Sequence, residues 1–425
     1  GMKELRLLLR ENPGVTDYII NTHEKKSYEM FFVKGKLETV RCTNTCDTSV
    51  TVYAAHDAFL GNADFFVYPS TTEEQVKGLI EEAVQKALLI NNKPYSLPAD
   101  EAGEYTVESN FSEFSPDALA AVVANTVFDA NRIENGSLNA VEVFVNRHHE
   151  TITNSRGIHK SQTRYDAMVE AIPTYNGAEQ SVELYEQYNF SNLDEETLYQ
   201  EIADMMTAVK ARYEAVKPQE ALCCKVILNK QEIATLVSRI AGGLEYSSVY
   251  NHSTIFKKGD DIQKATTGDP ISLTMAGALK GSVHSRRFDS DGMTLGQMEI
   301  VKDGIAVNYY GSNRYGQYLG ETPTGSLPCA HLALGSMSEA EMKQGAYLEV
   351  VSMSGLQVSF LQDYIGGEIR LAYYHDGSKL IPVTGISVSG SLSKVLQTIR
   401  FSSTEAMHGA YVGPDKALLD DMKIF

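Results

Sequence analysis

The pattern of this chain changes character once, near Lys217 to Ala221, and that change limits the fold more than any other feature. Before it, strand-like runs alternate with amphipathic helical stretches. After it, short strand-like runs are punctuated by glycine. Tyr28 to Thr43 reads as a hairpin about Lys34-Gly35-Lys36, and Val50 to Ala55 with Ala63 to Tyr68 as strands about a Gly61-Asn62 turn. Thr71 or Thr72 caps a helix to Leu89, and Ser115-Pro116-Asp117 opens one to about Asn131. Val141 to Asn146 and Glu150 to Asn154 read as two strands joined by a turn that carries His148 and His149. Asp194 to Val216 reads as an amphipathic helix that closes at Pro218. The expected fold is α+β: residues 1–218 form a mixed sheet with helices, and residues 219–425 a larger β-rich domain with one embedded helix, Gln231 to Ala241.

Charge narrows the function. Lys and Arg number 37 against 55 Asp and Glu, a net charge of −18 with no basic block. This argues against nucleic acid as the primary ligand, since duplex binding rests on neutralising phosphates. No apolar run approaches the roughly 18 residues of a membrane helix. The five cysteines form no regular framework, which suits reduced thiols and points to the cytoplasm. Gly1 ahead of Met2 reads as the remnant of an expression tag.

The densest local signal is Phe288 to Gly320. Phe288-Asp289-Ser290-Asp291-Gly292 reads as an acidic turn, and Gln297 to Val301, Lys302-Asp303-Gly304 and Ile305 to Tyr310 as a hairpin. A basic-aromatic segment follows, with Ser312, Gly316, Leu319 and Gly320 at fixed spacing. This order resembles the TldD/PmbA family, metalloprotease subunits once labelled modulators of DNA gyrase, and the likeness extends more loosely from about Tyr28 to the C-terminus. In the TldD branch an H-E-x-x-x-H motif lies on the helix after the first strand of the C-terminal domain. There two imidazoles hold zinc and the glutamate activates a bound water. Matching the Gly243-Leu244-Glu245 tail of that helix places Val237 at the first histidine, Ser238 at the glutamate and Gly242 at the second histidine. The family's late cysteine is also missing, with His408-Gly409 in about that place.

The pattern is similar to the PmbA branch, also called TldE, whose members lack the motif. The resemblance implies a non-catalytic subunit, without zinc of its own, that acts on unfolded peptides beside a zinc-bearing TldD-like chain or in a homodimer. Tyr309, Tyr310, Arg314 and Tyr315 are then candidates for peptide or partner contact, against the plainer reading of a half-buried strand edge. The alternative is a self-sufficient peptidase whose surrogate site draws on His252, His284, His331, His408 and Cys329. Cys42 with Cys46, and Cys223 with Cys224, read as strand thiols and not as metal ligands.

Overall fold

Two consecutive residues at positive φ, Lys34 at 50° and Gly35 at 77°, make the tight turn from which the N-terminal sheet grows. After helix α1 (Leu5–Glu11), this turn joins strands β1 (Asp17–Val33) and β2 (Lys36–His56) in one long hairpin. A computed structural model describes residues 4–425, so the Gly1-Met2 start lies outside the described residues. The next reversal falls at Asp57, not at Gly61-Asn62, which sit inside β3 (Phe59–Val67). Gly61 has a different purpose: a Cβ there would lie 1.6 Å from the Ala87 carbonyl oxygen, at the end of helix α2 (Glu73–Ala87). Only glycine lets helix and strand approach so closely. Gly61→Ala is expected to cost roughly 1–3 kcal/mol or more by overpacking, read as a lower urea midpoint.

Helix α2 starts where the sequence requires, with Thr72 and Gln75 forming a reciprocal capping box. The remaining N-terminal elements are β4 (Ala102–Thr106), α3 (Pro116–Asp129), β5 (Gly136–Asn154), β6 (His159–Asn176), β7 (Ser181–Glu183), β8 (Glu186–Phe190) and α4 (Glu195–Glu214). The sheet order is β3-β2-β1-β5-β6-β4, with β7 and β8 also on β6. The turn expected at Arg147 to Glu150 does not exist, because β5 runs straight through it. Alternation explains why. Val141, Val143 and Val145, with Ala167, Val169 and Ala171 across the ladder, pack beneath α3 and α4. Asn146, His148 and Glu150, with Gln162, Arg164 and Asp166, make the opposite face polar.

The C-terminal part begins with β9 (Lys225–Asn229) and α5 (Lys230–Gly242), and continues through α6 (Tyr246–Tyr250), β10 (Leu273–Ala276), β11 (Gln297–Lys302) and β12 (Ile305–Ala306). Then come α7 (Asn313–Leu319), β13 (Cys329–Leu332), α8 (Glu339–Met342), β14 (Tyr347–Met353), β15 (Gln357–Ser359), β16 (Tyr364–His375), β17 (Leu380–Val383) and β18 (Ile386–Gly390). The last elements are α9 (Leu392–Thr398), β19 (Arg400–Phe401), β20 (Glu405–His408), β21 (Tyr411–Pro414), β22 (Lys416–Leu419) and β23 (Lys423–Ile424). One sheet runs β12-β11-β10-β13-β21-β20. The other runs β19-β22-β9-β14-β16-β18-β23, with β15 and β17 on β16. Helix α5 supplies Ile233, Leu236, Val237 and Ile240 to the core these sheets share, and the other helices of this part are short.

The hairpin after Gly304 is shorter than its sequence suggests, since β12 has two residues. Arg314 and Tyr315 lie on α7 instead of a strand edge, with Ser312 capping the helix and Gly320 ending it at φ 69°. Cys42 and Cys46 are exposed on β2, and Cys223 is exposed ahead of β9. The fold class is α+β, with a large β-rich portion. Among the described residues, no helix is long and apolar enough to cross a membrane.

Candidate functional site

A cleft of about 640 Å³ opens where β8 and α4 face the start of α5, the middle of β14 and the β20–β21 turn. The N-terminal wall carries Glu186, Glu201 and Asp204, and the C-terminal wall carries Lys230, Lys343 and Lys416 together with Glu339, Glu349 and Asp415. The Lys230–Glu201 ion pair crosses between them. Lys343 bonds Glu339 at 2.7 Å and Glu349 at 3.2 Å, and Lys416 reaches Glu349 at 3.5 Å. Burial pushes the carboxyls of Glu186 and Asp204 above their ordinary range, and the charge of Glu201 adds to the shift.

His284 and His408 both line this cleft. Burial, then neighbouring positive charge, lowers each: Arg286 and Arg164 act on His284, and Lys230 on His408. Cys329 is fully buried, with its sulfur 3.8 Å from Ser282 Oγ and 4.0 Å from Ser285 Oγ, and burial raises its thiol. His331 lies apart from the cleft, with its Nε2 3.4 Å from Glu405, and His252 is exposed in a left-handed conformation at φ 54°. The structure therefore brings two of the five surrogate candidates to one cleft, with Cys329 inside the nearby sheet.

Helix α5 tests the fit to zinc directly. Val237 is 2% exposed in the hydrocarbon core, Ser238 faces solvent, and a Cβ at Gly242 would meet nothing within 4 Å. A buried isopropyl group, an exposed hydroxyl and a bare backbone offer none of the imidazole, thiolate or carboxylate ligands that hold zinc. These residues do not fit a zinc centre. Among the described residues, no group of three or more His, Cys, Asp or Glu side chains is placed to hold a metal ion.

The aromatic segment is knotted to the N-terminal part. The Arg314 guanidinium lies over the rings of Tyr315, Tyr318 and Tyr95, at 5.1, 5.4 and 5.7 Å. Tyr318 donates to the Lys93 carbonyl, and Asn313 Nδ2 donates to Ser96 O at 2.8 Å. Tyr310 is buried, and the ring of Tyr309 stacks under Lys258, 4.9 Å from its ammonium. Near Arg314, burial and then the charge of Asp289 push the Asp291 carboxyl up to about 6. Raised above its unfolded value, this carboxyl is neutral in both states below pH ~4, and its ionisation opposes folding progressively as pH rises to about 6. Asp291→Asn is therefore expected to stabilise the protein above pH ~6 by roughly 1–3 kcal/mol and to leave it unchanged near pH 4, in parallel urea titrations.

Sequence reading missed the polar sheet face. His23, His148 and Asp166 form a hydrogen-bonded chain there, beside the Arg164–Glu150 ion pair. The signal was present as polar residues at every second position, from Asn146 to Glu150 and from Lys160 to Asp166.

Residues 222–425 match the family profile described as the PmbA/TldA metallopeptidase C-terminal domain. The Metalloprotease PmbA homolog of Haemophilus influenzae is 25% identical over 415 residues, spanning 92% of this chain and 88% of that one. Metalloprotease PmbA of Escherichia coli O157:H7 is 26% identical over 205 residues, 47% of this chain and 45% of that protein. Among solved structures, TldE from Thermococcus kodakarensis superposes with a TM-score of 0.78 at 16% identity, covering 99% of this chain and 98% of that one. Fold and profile together define a two-part α+β protein with a metallopeptidase-type C-terminal part. The C-terminal part, residues 222–425, belongs to the TldD/PmbA family, and the whole chain resembles its PmbA members.

Proposed function

We propose that this chain is the PmbA-like, non-catalytic subunit of a cytoplasmic two-chain peptidase that degrades unfolded peptides, with zinc supplied by a TldD-like partner. The observation that carries this reading is helix α5, which keeps its place and core contacts but holds Val237, Ser238 and Gly242 where the family's metal ligands and acid would stand. Peptide binding by strand addition is supported by β2: β3 pairs with it only from Thr48, so Lys36 to Asp47 have a β-partner on the β1 side alone among the described residues. The net charge of −18 speaks against a nucleic-acid partner.

The test is zinc content and cleavage of an unstructured peptide by the purified chain, alone and mixed with a TldD-like chain from the same organism. Metal-free protein that is inactive alone and active in the mixture is the expected result. Stoichiometric zinc with activity alone would overturn it. In that case His284→Ala and His408→Ala would decide the self-sufficient alternative, which rests on those two residues sharing the cleft.

A further inference from the structure

We propose that His23, hydrogen-bonded to His148, takes up a proton on acidification, and that this proton loosens the docking of the 282–287 loop on the polar face of the N-terminal sheet. The site lies between the two parts of the molecule. It is independent of whether the chain is catalytic.

The hydrogen bonds set the number of protons. His23 Nε2 and His148 Nδ1 are 2.8 Å apart, and His148 Nε2 is 2.6 Å from Asp166 Oδ2. Asp166 Oδ1 accepts from Asn146 Nδ2 at 2.7 Å. The carboxylate needs a donor, so His148 carries its proton on Nε2 and accepts at Nδ1 from His23. An added proton goes to His23 Nδ1 and leaves the bond from His23 Nε2 to His148 Nδ1 intact. A second would place two N–H groups against each other, so the pair holds one. Burial, and then the positive neighbour Arg164 with His148 itself, lowers the affinity of His23 for that proton against the pull of Glu150 and Asp47.

Every element packed here contributes charge. Beta-strand neighbours on the same face are Asp47 and Lys25, opposite His23 and His148 in register, Glu150 beside His148, and Arg164 with Asp166 on β6. From the C-terminal loop come His284 and the half-buried Arg286, whose guanidinium bonds the carbonyls of Val283 and Ser285 at 3.0 and 2.8 Å. At neutral pH the inner group balances, with Arg164 and Arg286 against Glu150 and Asp166. One more proton leaves it positive, and Arg286 is the member carried by the 282–287 loop. That loop is held to the sheet side by Arg287 N to Gln162 Oε1 at 2.8 Å, Arg287 Nη1 to Thr106 O at 3.2 Å, Ser191 N to Gly281 O at 2.9 Å and Ser191 Oγ to Ser282 O at 3.2 Å, with the Arg287 guanidinium over the Tyr105 ring. Because its neighbours Val283 and His284 line the cleft, release of the loop would widen that opening.

Hydrogen–deuterium exchange of peptides spanning 279–289, normalised for intrinsic rates, tests this at pH 7.5 and 5.5. The full chain is expected to lose roughly tenfold in protection on acidification, because the undocked state binds the proton more tightly than the docked one. The double variant His23→Gln/His148→Gln keeps amide donors and cannot titrate, so its protection should not change. Unchanged protection in the unmodified chain overturns the proposal, as does an equal loss in the variant, which would transfer the effect to His284. Should the variant fail to fold, ring NMR of the unmodified chain decides. One proton taken up at His23 as the loop is released supports the proposal, and two independent titrations defeat it.

Discussion

Asp289→Ala is expected to destabilise the C-terminal part by roughly 3–5 kcal/mol, more than any other single substitution considered for this chain. The carboxylate is 9% exposed and accepts three backbone N–H groups: Asp291 and Met293 on Oδ1 and Ser326 on Oδ2, each at 3.0 Å. Two of these bonds close the tight turn at Gly292, and the third fastens the distant 324–328 segment to it. Hydrogen bonds to a charged acceptor are each worth roughly 1.5–3 kcal/mol, and donors left dry and unpaired cost about as much again. Asp289→Asn should fall between, since its amide keeps one acceptor for the turn but presents N–H to the N–H of Ser326. Urea unfolding gives the ranking, and faster amide exchange at Ser326 would locate the lost bond. An Asp289→Ala midpoint equal to that of the unmodified chain would mean that water replaces the carboxylate.

The same turn shows what the sequence reveals. An acidic cluster ending in glycine announces a tight reversal, and it is there, because Gly292 sits at φ 92° where a side chain is strained. Capped helices were equally legible: Thr72, Asp194 and Asn229 each stand at the N-cap of a helix that the pattern predicts. Two kinds of error share one cause. Polar residues at Arg147 to Glu150 read as a turn because polarity usually marks solvent, yet β5 continues through them, with His148 and Glu150 on the polar sheet face that meets the other part. Gly61 was read as a reversal, although its role is to admit a helix end that lies 26 residues later in the chain. Local pattern specifies local conformation; it does not say what will pack against it. His284 and His408 meet at the cleft for the same non-local reason, and nothing in their flanking residues distinguishes them from His252 or His331.

Restoring the family's ligands to α5 should not restore a zinc site. The triple variant Val237→His/Ser238→Glu/Gly242→His is expected to bind zinc at far less than one equivalent and to lose roughly 2–5 kcal/mol, mostly at position 237, where an imidazole replaces a buried hydrocarbon. Successive helical residues turn by about 100°, so positions 237 and 242 diverge by about 140° on a regular helix, and both imidazoles reach one ion only if the backbone breaks between them. Helix α5 instead runs from Lys230 through Gly242, with Val237 packed in the same core as Ile233 and Ile240. Hydrocarbon surrounds position 237, so new ligands alone would not shape a metal site there. Metal analysis after dialysis, paired with urea unfolding of Val237→His alone, checks both halves of the prediction. One tightly held zinc per chain in the triple variant would show that the core yields to the metal and that three side chains are enough to build a site on α5.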